Sequence, residues 1–220
     1  MEIQLHADRR LEALVHGARL PWVPSPEPGV ERRMLERSGG EVALASTIVR
    51  YAPGRSFPAH VHQLGEEFFV LKGTFSDEHG DYPTGTYVRN PPGSSHAPSC
   101  REGCVIFVKL RQMLADEPET VRTPLHALGW NAAEDGCKRA SLYANGRISV
   151  ALEMAGPHSG ISGGDGEGGL EIFVLSGSLG FLDRPAWLHS WSWLRTPGPI
   201  SGMRAGSGGA LLWVKRGHLR

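Results

Sequence analysis

The chain has 220 residues, with 23 Lys plus Arg against 23 Asp plus Glu and ten histidines, so its formal net charge is zero. Such a balance provides no global field for nucleic acid or an anionic membrane surface, and small or neutral partners are the expectation. No apolar run approaches the ~20 residues of a transmembrane helix, and Met1 to Asp8 has neither the basic nor the apolar region of a signal peptide, so a soluble, cytoplasmic protein is expected.

From the N-terminus, Asp8 to Arg19 places Leu11, Leu14 and Val15 on one helical face and predicts a short helix. A weaker helical signal covers Gln112 to Glu119. Elsewhere 29 Gly and 16 Pro, without collagen-like period, separate short runs rich in Val, Ile, Phe, Leu and Trp, which is the pattern of an all-β fold with many short strands. Cys100, Cys104 and Cys137 are odd in number and form no C-x-x-C pair, which argues against a disulfide framework or a zinc-thiolate cluster. Reduced thiols without a role are expected, a redox-responsive Cys100/Cys104 pair near His96 being the less favoured alternative.

An internal repeat sets the domain count. Gly65-Glu66-Glu67-Phe68-Phe69-Val70-Leu71-Lys72-Gly73 returns 104 residues later as Gly169-Leu170-Glu171-Ile172-Phe173-Val174-Leu175-Ser176-Gly177, identical at six of nine positions. Pro92-Gly93 returns as Pro197-Gly198, Trp22 as Trp130 and Gly29 as Gly136. Offsets that drift by so few residues are what a duplicated domain leaves after small turn deletions. Two homologous β-domains are therefore expected, Leu20 to Met113 and Leu128 to Arg220, joined by a charged linker from Leu114 to Ala127 and preceded by an N-terminal arm of residues 1–19.

The first repeat carries the chemistry. His60 and His62, two apart in an extended segment, project their imidazoles from one strand face, because side chains alternate with period two. Glu66 and Glu67 open the next apolar strand, so one carboxylate points inward and the other outward. After a charged hairpin, Ser76 to Asp81, and a Pro-Pro-Gly turn, His96 returns to the barrel. Any one of these histidines alone reads as a solvated rim residue. Together, three imidazoles and a carboxylate make an open metal site with positions left for water or substrate.

His60-x-His62-x3-Glu66-x6-Gly73, followed by Gly85-x5-Pro91-x-Gly93-x2-His96, resembles the two motifs of the cupin superfamily. The stretches Ser76 to Tyr82 and Gly85 to His96 are similar to the cupin domain of ChrR-like anti-sigma factors. The likeness departs at Cys100, where the second motif usually carries Asn. The resemblance implies a double-stranded β-helix (jelly-roll) barrel, two in tandem as a bicupin, and His60, His62, Glu66 and His96 as ligands of one divalent ion. Zinc is the implied metal; the donor set itself also suits iron, manganese, nickel or copper. Glu67, His79 and Asp81 read as contacts behind the ligands or as a pocket lip, with a plain solvated turn as the simpler reading of the hairpin.

In the second repeat the ligand positions become Gly164, Gly166, Leu170 and Ser201, so a degenerate barrel without metal ligands is expected. Trp187, Trp191 and Trp193 cluster there, with Trp191 and Trp193 on one strand face, fitting core or interface packing within the chain or in a homodimer. The resemblance implies a regulatory, stress-sensing role with a small-molecule effector and a protein partner. Residues 1–40 hold no Cys, so the sigma-binding zinc domain of that family is not matched. The competing reading is an Fe(II) dioxygenase acting on a small diketone or aromatic compound. No nucleophile or base stands out for it, Glu67 and Tyr87 being the nearest candidates.

Overall fold

The structure, a computed structural model, describes residues 2–133, 135–164 and 166–219. It is all-β: the described residues form twenty-two strands and two single-turn 3-10 helices, Gly17–Arg19 and Leu125–Ala127, and the strand pairings among them are antiparallel. No helix among the described residues is long and apolar enough to cross a membrane.

The chain divides into two compact units, one taking residues up to Ala7 and Leu20–Ala127, the other Asp8–Arg19 and the chain from Leu128 onward. The principal sheet of the first unit runs Ile3–Leu5, Val30–Gly39, Ala43–Tyr51, Cys104–Leu110, Glu66–Asp77, Thr86–Asn90 and Val121–Pro124. The second unit repeats this order with Asn131–Ala132, Lys138–Ala144, Ser149–Ala155, Met203–Arg216, Leu170–Phe181, Ser192–Thr196 and Ala13–His16. Each is a jelly-roll barrel wound around a long twelve-residue strand, Glu66–Asp77 in the first and Leu170–Phe181 in the second.

These strands explain the repeated Leu-x-Gly. Gly73 and Gly177 both adopt positive φ (73° and 77°), and a Cβ there would lie 2.3 Å from the Gly103 carbonyl and 2.1 Å from that of Gly209, respectively. Only glycine admits both the conformation and the close approach of the neighbouring strand.

Residues 1–19 are not an arm outside the barrels, nor is Asp8 to Arg19 a helix. Ala13–His16 is a strand that extends the second unit's sheet through Ser192–Thr196, burying Ala13 and Val15 on one face. The period-two alternation of these four residues, completed by pairing, wins over the helical spacing of Leu11, Leu14 and Val15. Likewise Val121–Pro124, within the expected linker, closes the first unit's sheet against Thr86–Asn90. No helix forms over Gln112 to Glu119.

The first barrel's core includes Val30, Val49, Phe68, Val70, Phe75, Val88, Ile106 and Val108. Cys100 and Cys104, expected as reduced thiols, form a disulfide inside it. The turn through Gly103 (φ 81°) folds the end of one short strand onto the start of the next and brings the two Cα atoms to 6.0 Å, within disulfide range. Cys137 is a buried free thiol. In the second unit Trp193 is buried and its indole N–H donates to Glu171. Trp191 does not share its strand face, because it sits in the preceding turn with φ 67°.

Candidate metal centre

His60–Val61 and Ser95–His96 form a two-stranded ladder with His60 opposite His96. The His62 N–H donates to the Ser94 carbonyl and the Gly93 N–H to the His62 carbonyl, both at 2.8 Å, which fixes His62 against the Pro-Pro-Gly turn. The three imidazole centroids consequently lie 4.8–5.1 Å apart. One nitrogen from each ring falls within 4.8 Å of the others, so the three could hold a metal ion. Glu66, first residue of the long strand, brings Oε2 to 3.4 Å from His62 Nε2 and 3.5 Å from His96 Nε2.

The protonation pattern suits cation binding. His96 Nδ1 lies 3.1 Å from Asp77 Oδ2, and a carboxylate can only accept, so the proton sits on Nδ1 and Nε2 keeps its lone pair. The Pro58 carbonyl, 3.1 Å from His60 Nδ1, imposes the same tautomer there. His62 Nε2 and His96 Nε2 are buried without a hydrogen-bond partner. Buried polar nitrogens seldom stay unsatisfied, and two of them beside a buried carboxylate fit an ion completing the set. Burial pushes the His62 imidazole down to about 4 and lowers that of His96, keeping both neutral, and burial raises the Glu66 carboxyl in the metal-free chain.

A second layer holds these groups. Asp77, its side chain wholly buried, also accepts from the Tyr82 hydroxyl and the His79 N–H, each at 2.8 Å. Burial works to raise its carboxyl, but these hydrogen bonds and that of His96 outweigh it and keep Asp77 ionised. Asn90 Nδ2 donates to Glu66 Oε2 at 3.2 Å. Arg122 joins both branches, donating from Nε to the Tyr82 hydroxyl at 2.8 Å and lying 3.5 Å from Asn90 Oδ1.

Apart from Asp77, the hairpin fits the simpler reading of a solvated turn. Asp77, not His79 or Asp81, stands behind a ligand: the His79 side chain is exposed and Asp81 accepts from the Ser76 hydroxyl. Glu67 projects away from the imidazoles and accepts from the Tyr87 hydroxyl at 2.7 Å. That pairing removes both Glu67 and Tyr87 as candidates for chemistry at the histidines.

Beside the imidazoles lies a cavity of about 370 Å³. Its walls include Val30, Val49, Phe57, Phe75, Val108 and Leu110, and Tyr51, Gln63, Arg32 and Arg111 supply polar atoms. A cavity of that size takes a small organic molecule.

Residues 10–114 match the family described as ChrR Cupin-like domain. This segment belongs to that family. The cupin barrel is also what solved structures share with the chain. A putative dioxygenase from Nostoc punctiforme is 16% identical over 100% of this chain and 84% of its own, with TM-score 0.66. A putative glyoxylate-induced protein from Pseudomonas aeruginosa is 13% identical over 95% of this chain and 88% of its own, with TM-score 0.71. A bacterial pirin from Escherichia coli, solved in complex with nickel(II), is 12% identical over 94% of this chain and 98% of its own, with TM-score 0.68. Comparison with curated protein sequences finds no match.

Proposed function

We propose that the first cupin barrel holds one divalent ion, zinc, through His60, His62, Glu66 and His96, and that the protein is a ChrR-like regulator whose cavity admits a small effector. The observation that carries the metal is the pair of buried imidazole nitrogens, on His62 and His96, that have no hydrogen-bond partner and face Glu66. Such an ion supplies Lewis acidity to an oxygen atom entering from the cavity. The regulatory role rests on the family of residues 10–114.

A second reading, an Fe(II) dioxygenase for a small diketone or aromatic substrate, is favoured by the apolar walls of the cavity. Element-resolved analysis of untagged protein purified without added metal separates the two. One zinc per chain is expected, and iron, with activity regained only on iron, moves the dioxygenase to the front. His60→Ala with His62→Ala is expected to abolish metal binding while far-UV circular dichroism keeps its β signature. Stoichiometric metal in that double variant overturns the ligand assignment.

A further inference from the structure

The cavity carries a signature of the ligand it takes, and this inference rests on the metal reading above. Arg111, immediately after the strand Cys104–Leu110, lines the cavity and has a left-handed backbone, φ 60°. A side chain at such an angle is uncommon and strained. The second barrel shows that nothing in the fold requires an arginine here. Strand pairing makes Leu110, opposite Glu66, equivalent to Arg216, opposite Leu170, so the next residues, Arg111 and Gly217, correspond. Gly217 has φ 80°, and its N–H donates to Gly169 as that of Arg111 donates to Gly65, at 3.1 and 3.0 Å. The same turn is thus made comfortably by glycine in the barrel without ligands and at a strain by arginine in the barrel with them.

Among the described residues the Arg111 guanidinium has no carboxylate partner; its Nη1 donates to the neutral Gln63 amide at 3.0 Å. The other cation of the lining, Arg32, is paired with Glu41. A divalent ion with the single carboxylate of Glu66 stays one charge positive, so ion and Arg111 together leave the cavity short of negative charge. Tyr51 adds a donor: its ring packs edge-on against Phe57 and Phe75, with centroids at 5.4 and 5.7 Å, and its hydroxyl makes no hydrogen bond among the described residues. Its counterpart in the second barrel is Ala155.

We propose that the cavity binds a small organic anion, a carboxylate or enolate on an apolar body, with Arg111 and Tyr51 as its recognition residues and the apolar walls around its carbon frame. The test titrates the full-length zinc-loaded chain calorimetrically with benzoate and with its neutral counterpart benzamide. Benzoate is expected to bind at least tenfold tighter. Arg111→Gly, which suits the backbone, is expected to weaken benzoate at least fivefold without loss of zinc or melting temperature, Arg111→Lys to restore most of the affinity, and Tyr51→Phe to weaken it several-fold. Equal affinity for benzoate and benzamide, or unchanged benzoate binding by Arg111→Gly, overturns the proposal. The same titration on the metal-free chain keeps the two readings apart. If the chain takes up no zinc, an Arg111-dependent preference for benzoate there still supports the anion site while the metal reading falls, and no preference overturns the anion site too.

Discussion

Replacing Asp77 with Asn changes one atom and puts the His96 tautomer at stake. The carboxylate accepts three hydrogen bonds, from Tyr82 and the His79 N–H on Oδ1 and from His96 on Oδ2. An asparagine has one acceptor oxygen. With its amide nitrogen turned to His96, Nδ1 becomes the acceptor, the ring proton moves to Nε2, and the lone pair that faces His62 and Glu66 is lost. With the oxygen turned to His96, the Tyr82 hydroxyl and the exposed His79 N–H lose their acceptor, and an unsatisfied donor such as the part-buried Tyr82 hydroxyl costs about 1–3 kcal/mol where buried. That cost favours the first orientation, which weakens the metal. Partners behind a ligating histidine contribute about 10- to 100-fold in metal affinity, or about 1.4–2.7 kcal/mol. Competition for zinc against a chromogenic chelator measures this directly, and Asp77→Asn is expected to fall in that range while remaining folded. An affinity within twofold of wild type refutes the assignment of Asp77 as the group that sets the His96 tautomer.

Arg122→Met removes the donor shared by Tyr82 and Asn90 and is expected to weaken zinc roughly tenfold, the lower end of such effects, with little change in melting temperature; unchanged zinc affinity by the same competition assay counts against the linkage. Acid is expected to destabilise the metal-free chain through His62, whose imidazole sits at about 4 when folded and ~6.5 when unfolded. The unfolded chain then binds more protons, so this contribution is intact above pH ~6.5 and lost towards pH ~4, by at most about 3 kcal/mol. Glu66, raised by burial, acts with the opposite sign. The His62 share is therefore read as the difference in urea stability between wild type and His62→Gln, which is expected to shift against wild type on going from pH 7 to pH 4.5; a difference independent of pH sinks it.

The sequence exposes the ligand candidates because His-x-His and the Glu-Glu that opens a strand are local patterns, and the period of two orients them. The duplication was equally readable, since two nine-residue segments match at six positions. Asp77 was not, because Ser76 to Asp81 has the composition of a solvated turn. Only the structure shows that the long strand continues through Gly73 as far as Asp77 and buries its last carboxylate. Arg122 was hidden for a similar reason: Leu114 to Ala127 reads as a connector until pairing with Thr86–Asn90 makes part of it a strand. Both residues act through contacts distant in sequence, His96 lying 19 residues from Asp77 and Tyr82 lying 40 from Arg122.

The second barrel argues independently that this polar layer belongs to the site and not to the fold. Pairing registers place Leu170 where the first barrel has Glu66, Phe181 where it has Asp77, and Leu14 where it has Arg122. All three join one hydrophobic cluster with Ile161, Ile200 and Met203. The walls change in the opposite sense: Val49 and Leu110, which line the first cavity, correspond to Glu153 and Arg216, which bond each other at 2.8 Å. Arg139 also reaches Glu153, at 2.9 Å. A barrel of this topology therefore folds with leucine and phenylalanine at the ligand and support positions, where burial of apolar surface stabilises it at no cost in polar desolvation. Keeping Glu66, Asp77 and Arg122 forgoes that stabilisation and demands a hydrogen bond for every buried polar atom. In the first barrel that demand is met along the described network except at the two imidazole nitrogens facing Glu66, and it is there that a cation would complete the set.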